Sequence, residues 1–198
     1  MTEQTQTKNS LINSLSVKHG LLIGVVAIVL NAALFVIDPV MQFTAWWLSI
    51  LILIIIIVLL VLLGIDVRKK IGGYWTFGEA FKSLFIMGVI LSVMTIVYNF
   101  VIFKYVDPQL PEKANAALLE SLTTRLSNAN LSQDQIDQYT KTFQNGEFIA
   151  KIRPTLANEL KAFVTGLIMH IIIALIIAAC IKKKAPVTLI ETDPTPEA

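Results

Sequence analysis

The strongest constraint on this chain is a run of residues with no charge at all. Between Thr44 and Gly64 there is no ionisable side chain, and the stretch LSILILIIIIVLLVLLG inside it is almost wholly aliphatic. A helix needs about 20 apolar residues to cross a hydrocarbon core about 30 Å thick. Within lipid the backbone must satisfy its own hydrogen bonds, so a run of this length reads as a membrane helix. Its many β-branched residues would favour a strand in water, but its length and its lack of turn signals decide for helix.

Three further blocks pass the same test. One runs from about His19 to Ile37, with Asn31 as its only strongly polar interior residue; another from about Phe81 to Val106, interrupted only by Lys82 and Lys104; the last from about Ala162 to Ile181, holding His170. The expected fold is an all-α integral membrane protein, with four transmembrane helices and a short helical insert between the third and fourth. The expected organisation is a cytoplasmic segment over 1–18, three spans within 19–106, an extracytoplasmic insert over 107–154, the fourth span within 155–184 and a disordered cytoplasmic tail over 185–198. Composition agrees: 55% of the 198 residues are hydrophobic and only 15% charged, against about 25% charged in a soluble domain. The net charge of +2 argues against a nucleic-acid partner. The first block is longer than the apolar region of a cleaved signal and ends in FVIDPV without a small-residue cleavage site, so it is expected to remain as a span.

Lysine and arginine set the orientation. Lys8, Lys18, Arg68, Lys69, Lys70, Lys82, Lys182, Lys183 and Lys184 fall on one side, whereas the loop from Asp38 to Phe43 on the other has no basic residue. Both termini are therefore expected in the cytoplasm. Trp46, Trp47 and Tyr105 would mark the outer interface, and Tyr74 and Trp75 the inner one.

The connection between the third and fourth spans is too long for a structureless loop. Pro111 and Glu112 suit a first helical turn, and Leu118, Leu122 and Leu126, with Leu119 beside them, form a stripe. Ser132 and Gln135 have capping-box spacing, with Leu131 and Ile136 placed as a hydrophobic staple. Ile136, Tyr139 and Phe143 would be the apolar face of that second helix, Gly146 its stop, and Pro154 the start of the final helix. An amphipathic hairpin resting on the membrane or on the ends of the spans is expected.

Two groups of residues stand out as candidate sites. Small or polar residues recur along the first span (Gly20, Gly24, Ala27, Asn31), the third (Gly88, Ser92, Thr95, Asn99) and the fourth (Gly166, His170, Ala174, Ala178). Such faces let helices approach closely, so these three spans are expected in mutual contact, with the second more exposed to lipid. Counted from the outer ends, Asn31, Asn99 and His170 come at similar depth and are expected to form one intramembrane polar cluster with Tyr98 nearby. Such a cluster serves either as a pocket for a headgroup, metabolite or proton, or simply as interhelical bonding. The second group is the inner stretch RKKIGGYWTFGEAFK, in which Arg68, Lys69, Lys70, Trp75, Glu79 and Lys82 are candidates for docking a cytoplasmic partner or anionic lipid. Within it Glu79 and Lys82 are spaced to pair, and Phe77, Ala80, Phe81 and Phe85 are expected to lie in the interface before the third helix enters the membrane.

The order YWTFGEAFKSLFIMGVI at the start of the third span, YVDP at its exit, SQDQI in the insert and IAACIKKK at the end resembles the domain-of-unknown-function 4199 family over about Lys18 to Lys184. That resemblance implies a small bacterial inner-membrane protein of four spans, with no established activity and no catalytic residues to transfer. No nucleotide-binding, zinc-hydrolase or nucleophile-elbow motif is present. The function expected is a non-enzymatic scaffold or accessory subunit without cofactor, metal or catalytic residue. The alternative is a small transporter or lipid-binding protein using the outer polar cluster. The bilayer, a second copy of the chain or an unidentified membrane protein are the expected partners.

Overall fold

The computed structural model describes residues 2–183, with residues 2–5 described by their backbone only; the tail expected over 185–198 lies outside the described residues. All the elements are helical: α1 (Thr2–Ile37), α2 (Met41–Thr44), α3 (Trp46–Lys70), α4 (Phe77–Val101, continued by a π-helical turn Ile102–Val106), α5 (Leu110–Asn128), α6 (Gln133–Gln144), α7 (Glu147–Ile152) and α8 (Leu156–Ile181). Four of them, α1, α3, α4 and α8, are long and apolar enough to cross a membrane. They run up and down between two faces. One, the basic face, holds the end of α3 at Lys70 and of α8 at Ile181; the other, the insert face, carries α2 and α5–α7.

Each span is longer than its apolar block. The chain before His19 continues α1 without a break, and α4 starts straight away at Phe77, so no separate interfacial segment precedes it. Thr76 is the reason. Its hydroxyl accepts from the Glu79 N–H (3.2 Å) while the Glu79 carboxylate accepts from the Thr76 N–H (2.7 Å), a capping box that starts the helix there. Phe77, Phe81 and Phe85 stack along α4 with ring centroids 6.4 and 6.0 Å apart.

Packing corrects the expected neighbours. The helix α4 packs against both α1 and α8, while α1 and α8 share no extended contact. The second span, expected to be more exposed to lipid, packs more lightly on the other spans than α4 does, yet α3 touches α1, α4 and α8, and its Leu60 and Val67 are fully buried. The parallel pair α1–α4 meets along the small-residue stripe. A Cβ on Gly20 would come 3.1 Å from the Met87 backbone, and one on Gly24 would run into the Met94 side chain. Gly20 and Gly24 therefore set the helix separation.

Burial is uneven along the bundle. The buried residues of α4 are Ala80, Ser83, Leu84, Met87 and Gly88, and those of α8 are His170, Ala174, Ile177, Ala178 and Ile181. Both sets lie in the half nearer the basic face. Towards the insert face few residues of the spans are buried.

The insert follows its local signals closely. Ser132 and Gln135 form the expected capping box ahead of α6, and Gly146 takes a left-handed φ of 78° just after it. Its buried face, however, is Ile136 and Thr140; Tyr139 is 64% exposed. The short helix α7 was not expected, and Thr155 rather than Pro154 starts α8, its hydroxyl accepting from the Asn158 N–H. The Arg125 guanidinium donates to the Thr44 carbonyl (3.2 Å), resting α5 on the α2 corner. Arg153 pairs with Glu112 at 2.9 Å, and this hydrogen bond holds the Glu112 carboxyl below the ordinary glutamate range. A carboxyl with a lowered folded pKa contributes stability above its unfolded pKa and loses it as pH falls through the folded value. The protection of the amides around Arg153 and Thr155, taken as their exchange relative to the intrinsic rate at each pH, is therefore expected to fall on acidification below about pH 4 and to be flat from pH 6 to 8. Loss of protection already at pH 6 would refute this role for the pair.

Candidate functional site in the insert-side half of the bundle

On the basic face most of the candidate docking residues are used internally. Trp75 is 2% exposed and is not an interfacial aromatic. Its indole N–H donates to the Ile181 carbonyl at 3.0 Å, and its backbone exchanges hydrogen bonds with Lys183 (2.9 and 3.2 Å). Arg68 donates to the same Ile181 carbonyl at 2.8 Å. Two side chains thus converge on the last carbonyl of α8, where the helix dipole favours a cation. The Gly72-Gly73 turn, with φ of 107° and 82°, returns the chain so that Trp75 reaches this position. Lys70 pairs with Asp66 at 2.7 Å. Glu79 pairs with Lys8 at 2.7 Å rather than with Lys82, because the extended start of α1 runs beside α4. Lys69 and Lys82 remain exposed.

Sequence reasoning missed a polar network beside these residues. The buried Ser16 and Ser83 hydroxyls are 2.7 Å apart across the α1–α4 contact. His19 Nε2 lies 3.1 Å from Asp66 Oδ2, and His19 Nδ1 is buried without a partner. The signal was legible only in part: Asp66 lies just beyond the block ending at Gly64, so the continuation of α3 to Lys70 was needed to place it opposite His19.

The intramembrane cluster divides. His170 is buried, with Nε2 3.0 Å from the Leu84 carbonyl of α4. Gly88, one turn further on, makes room for it; a Cβ there would occupy the imidazole. The eleven residues from Gly88 to Asn99 rise about 16 Å, so His170 sits well below Asn99 instead of level with it. The reason is that α8 starts at Leu156, earlier than its apolar block, which lowers His170 towards the bundle centre. The Asn31 amide donates to the Ala27 carbonyl of its own helix (2.8 Å). Among the described residues, the side chains of Asn99 and Tyr98 make no hydrogen bond.

Two cavities meet at Asn99. A cleft of about 370 Å³ lies between α3, α4 and α8, with Leu53, Ile57, Ile96 and Phe163 among its apolar walls, Ser92, Thr95 and Asn99 along one side and His170 at depth. Gly166 also lines it and has no neighbour within 4 Å of a built Cβ. A second cavity of about 280 Å³ lies nearer the insert face between α1, α2, α3 and α4; Asn31, Gln42, Ser49 and Asn99 supply its polar lining. Phe43 and Phe103 pack edge to face at 6.3 Å on its rim. Phe103 comes from the π-helical turn, a local feature often found at functional sites. Concave apolar sites of this size with a few convergent polar groups are the usual form of a small-ligand site.

Four long apolar helices, with most of their buried residues towards one end, define a small polytopic α-helical membrane protein. Residues 18–183 match the family described as Protein of unknown function (DUF4199), and the chain belongs to that family. No curated protein and no solved structure matched the chain.

Proposed function

We propose that the protein is a non-enzymatic membrane protein that holds one lipid-like amphiphile in the cleft between α3, α4 and α8. The observation that carries this is the cleft itself: apolar walls inside the membrane-spanning bundle, with the unpartnered amide of Asn99 on them. An amide without a partner is costly in hydrocarbon, and a ligand polar group relieves that cost. Below the cleft, the fully buried Trp75, Leu84, Met87, Ala174 and Ala178 close the bundle. This favours a binding protein over a conduit. The scaffold reading has less support, because Arg68, Trp75, Lys70 and Glu79 are engaged within the chain. By the positive-inside rule the basic face is cytoplasmic and the insert lies on the opposite side, and the family resemblance implies that the membrane is a bacterial inner membrane. A cysteine at Gln138 labelled only from the cytoplasm would reverse that threading.

Gly166→Leu tests the binding reading. The new side chain enters the cleft, where a Cβ meets nothing within 4 Å, and leucine raises helix propensity by about 0.8 kcal/mol over glycine. The expected result is at least a tenfold loss of co-purifying amphiphile in native mass spectrometry from nanodiscs, with an unchanged or higher melting temperature. Full occupancy in the variant, or no discrete amphiphile on the wild-type protein, refutes the proposal.

A further inference from the structure

The second cavity specifies the head of the ligand, and this inference rests on the binding reading above. We infer that the two cavities form one site for a neutral amphiphile with a hydroxylated head, whose tail lies in the cleft between α3, α4 and α8 and whose head lies among Asn31, Gln42, Ser49 and Asn99.

Continuity is the first argument. Asn99 lines both cavities, so the polar one adjoins the apolar one there. Depth is the second. Gln42 and Phe43 belong to the α2 corner on the insert face, and Asn31 lies six residues before the end of α1, about 9 Å at 1.5 Å per residue. The apolar cleft continues from there towards the centre of the bundle at Leu60 and His170. A lipid of the adjoining leaflet has the same polarity order: head at the interface, chain towards the bilayer centre.

Charge is the third argument, and it selects the head. Neither lining contains an Asp, Glu, Lys or Arg. A phosphate or carboxylate drawn into this region would meet no cation on the linings, the neighbouring Arg125 being engaged with the Thr44 carbonyl at the α2 corner, and an unpaired charge away from water is far more costly than a neutral polar group. The titratable side chain on the linings is His170, whose Nε2 is already committed to the Leu84 carbonyl. The groups left for a ligand are balanced. The free Asn99 and Gln42 amides each offer N–H donors and a carbonyl acceptor, Asn31 keeps its carbonyl oxygen, and Ser49 holds only a long 3.4 Å bond to the Gln42 carbonyl. Hydroxyl groups, which both donate and accept, match such a set. An ammonium head, which only donates, leaves the amide N–H donors unpaired; an ester head, which only accepts, leaves the carbonyl acceptors unpaired; a hydrocarbon head leaves both.

A matched pair of probes decides the matter. The protein is reconstituted in phosphatidylcholine nanodiscs and labelled with a photoreactive monoacylglycerol. Unlabelled 1-oleoylglycerol and 1-oleoyl lysophosphatidate, which share glycerol and chain and differ by the phosphate, then compete. The expected result is at least tenfold stronger competition by the neutral lipid, with labelled peptides from α3, α4 or α8. Asn99→Leu should weaken labelling about tenfold, as loss of the hydrogen bonds of one partly buried amide does. Gln42→Lys, at the rim, should shift the preference towards lysophosphatidate, and this gain does not depend on any loss of folding. Equal competition, or a wild-type preference for lysophosphatidate, overturns the neutral head while leaving the binding site standing. Failure of both lipids to compete, with no saturable labelling, overturns the binding reading itself.

Discussion

Trp75→Ala is expected to be among the most damaging truncations in the chain. Trp75 is 2% exposed and part of the main core, and removing a buried aromatic of this size costs about 3–5 kcal/mol. For a chain of this length that corresponds to a fall in melting temperature of about 10 °C. The loss is more than volume, because the indole N–H and the Arg68 guanidinium both meet the Ile181 carbonyl. Trp75→Phe keeps most of the ring and loses only the donor, so it should cost about 1 kcal/mol. Combining it with Arg68→Ala should cost more than the sum of the two, since the carbonyl then has neither partner. The measurement is the thermal midpoint of monodisperse protein in one membrane mimetic. A drop of less than about 3 °C for Trp75→Ala would mean that the basic-face seal is not what holds the helices together.

Gly88→Val is the second large effect. A Cβ at this position would occupy the His170 imidazole, so His170 must leave the Leu84 carbonyl or α8 must move off α4. Overpacking of this kind costs about 1–3 kcal/mol or more, and the displaced imidazole adds the cost of an unpaired buried group. Removing the imidazole should relieve the clash: Gly88→Ala combined with His170→Ala should be more stable than the two single effects summed, a coupling of about 1 kcal/mol. Perfect additivity would refute the direct contact. His170→Leu separates packing from ligand binding. A lower melting temperature with unchanged amphiphile occupancy makes His170 a packing residue alone, whereas reduced occupancy makes it part of the cleft floor.

Local rules and pairing rules contributed unequally to this structure. The four spans were legible because a membrane leaves one solution for a long charge-free run, and α6 was legible because Ser132 and Gln135 announce its start. The ends were less so. Apolar blocks stop where charge begins, but a helix stops where its backbone hydrogen bonds do, so α1 extends back to Thr2 and α3 on to Lys70. Those polar extensions carry Lys8, Ser16 and Asp66, and for this reason their pairs with Glu79, Ser83 and His19 were not foreseen.

The sequence by itself determined that the chain is a four-span membrane protein with a helical insert, because hydrocarbon length, hydropathy and caps are properties of contiguous residues. Only the tertiary structure decided which residues are free to act. Trp75, Arg68 and Glu79 look like a docking loop in sequence, yet they seal the end of the bundle against α8 and α1. Asn31, Asn99 and His170 look like one cluster, yet they line two cavities at different depths that share only Asn99. The physical reason is that depth and partnership depend on the register of one helix against another. Register is set by close contacts such as Gly88 with His170 and Gly20 with Met87, which join residues far apart in the chain.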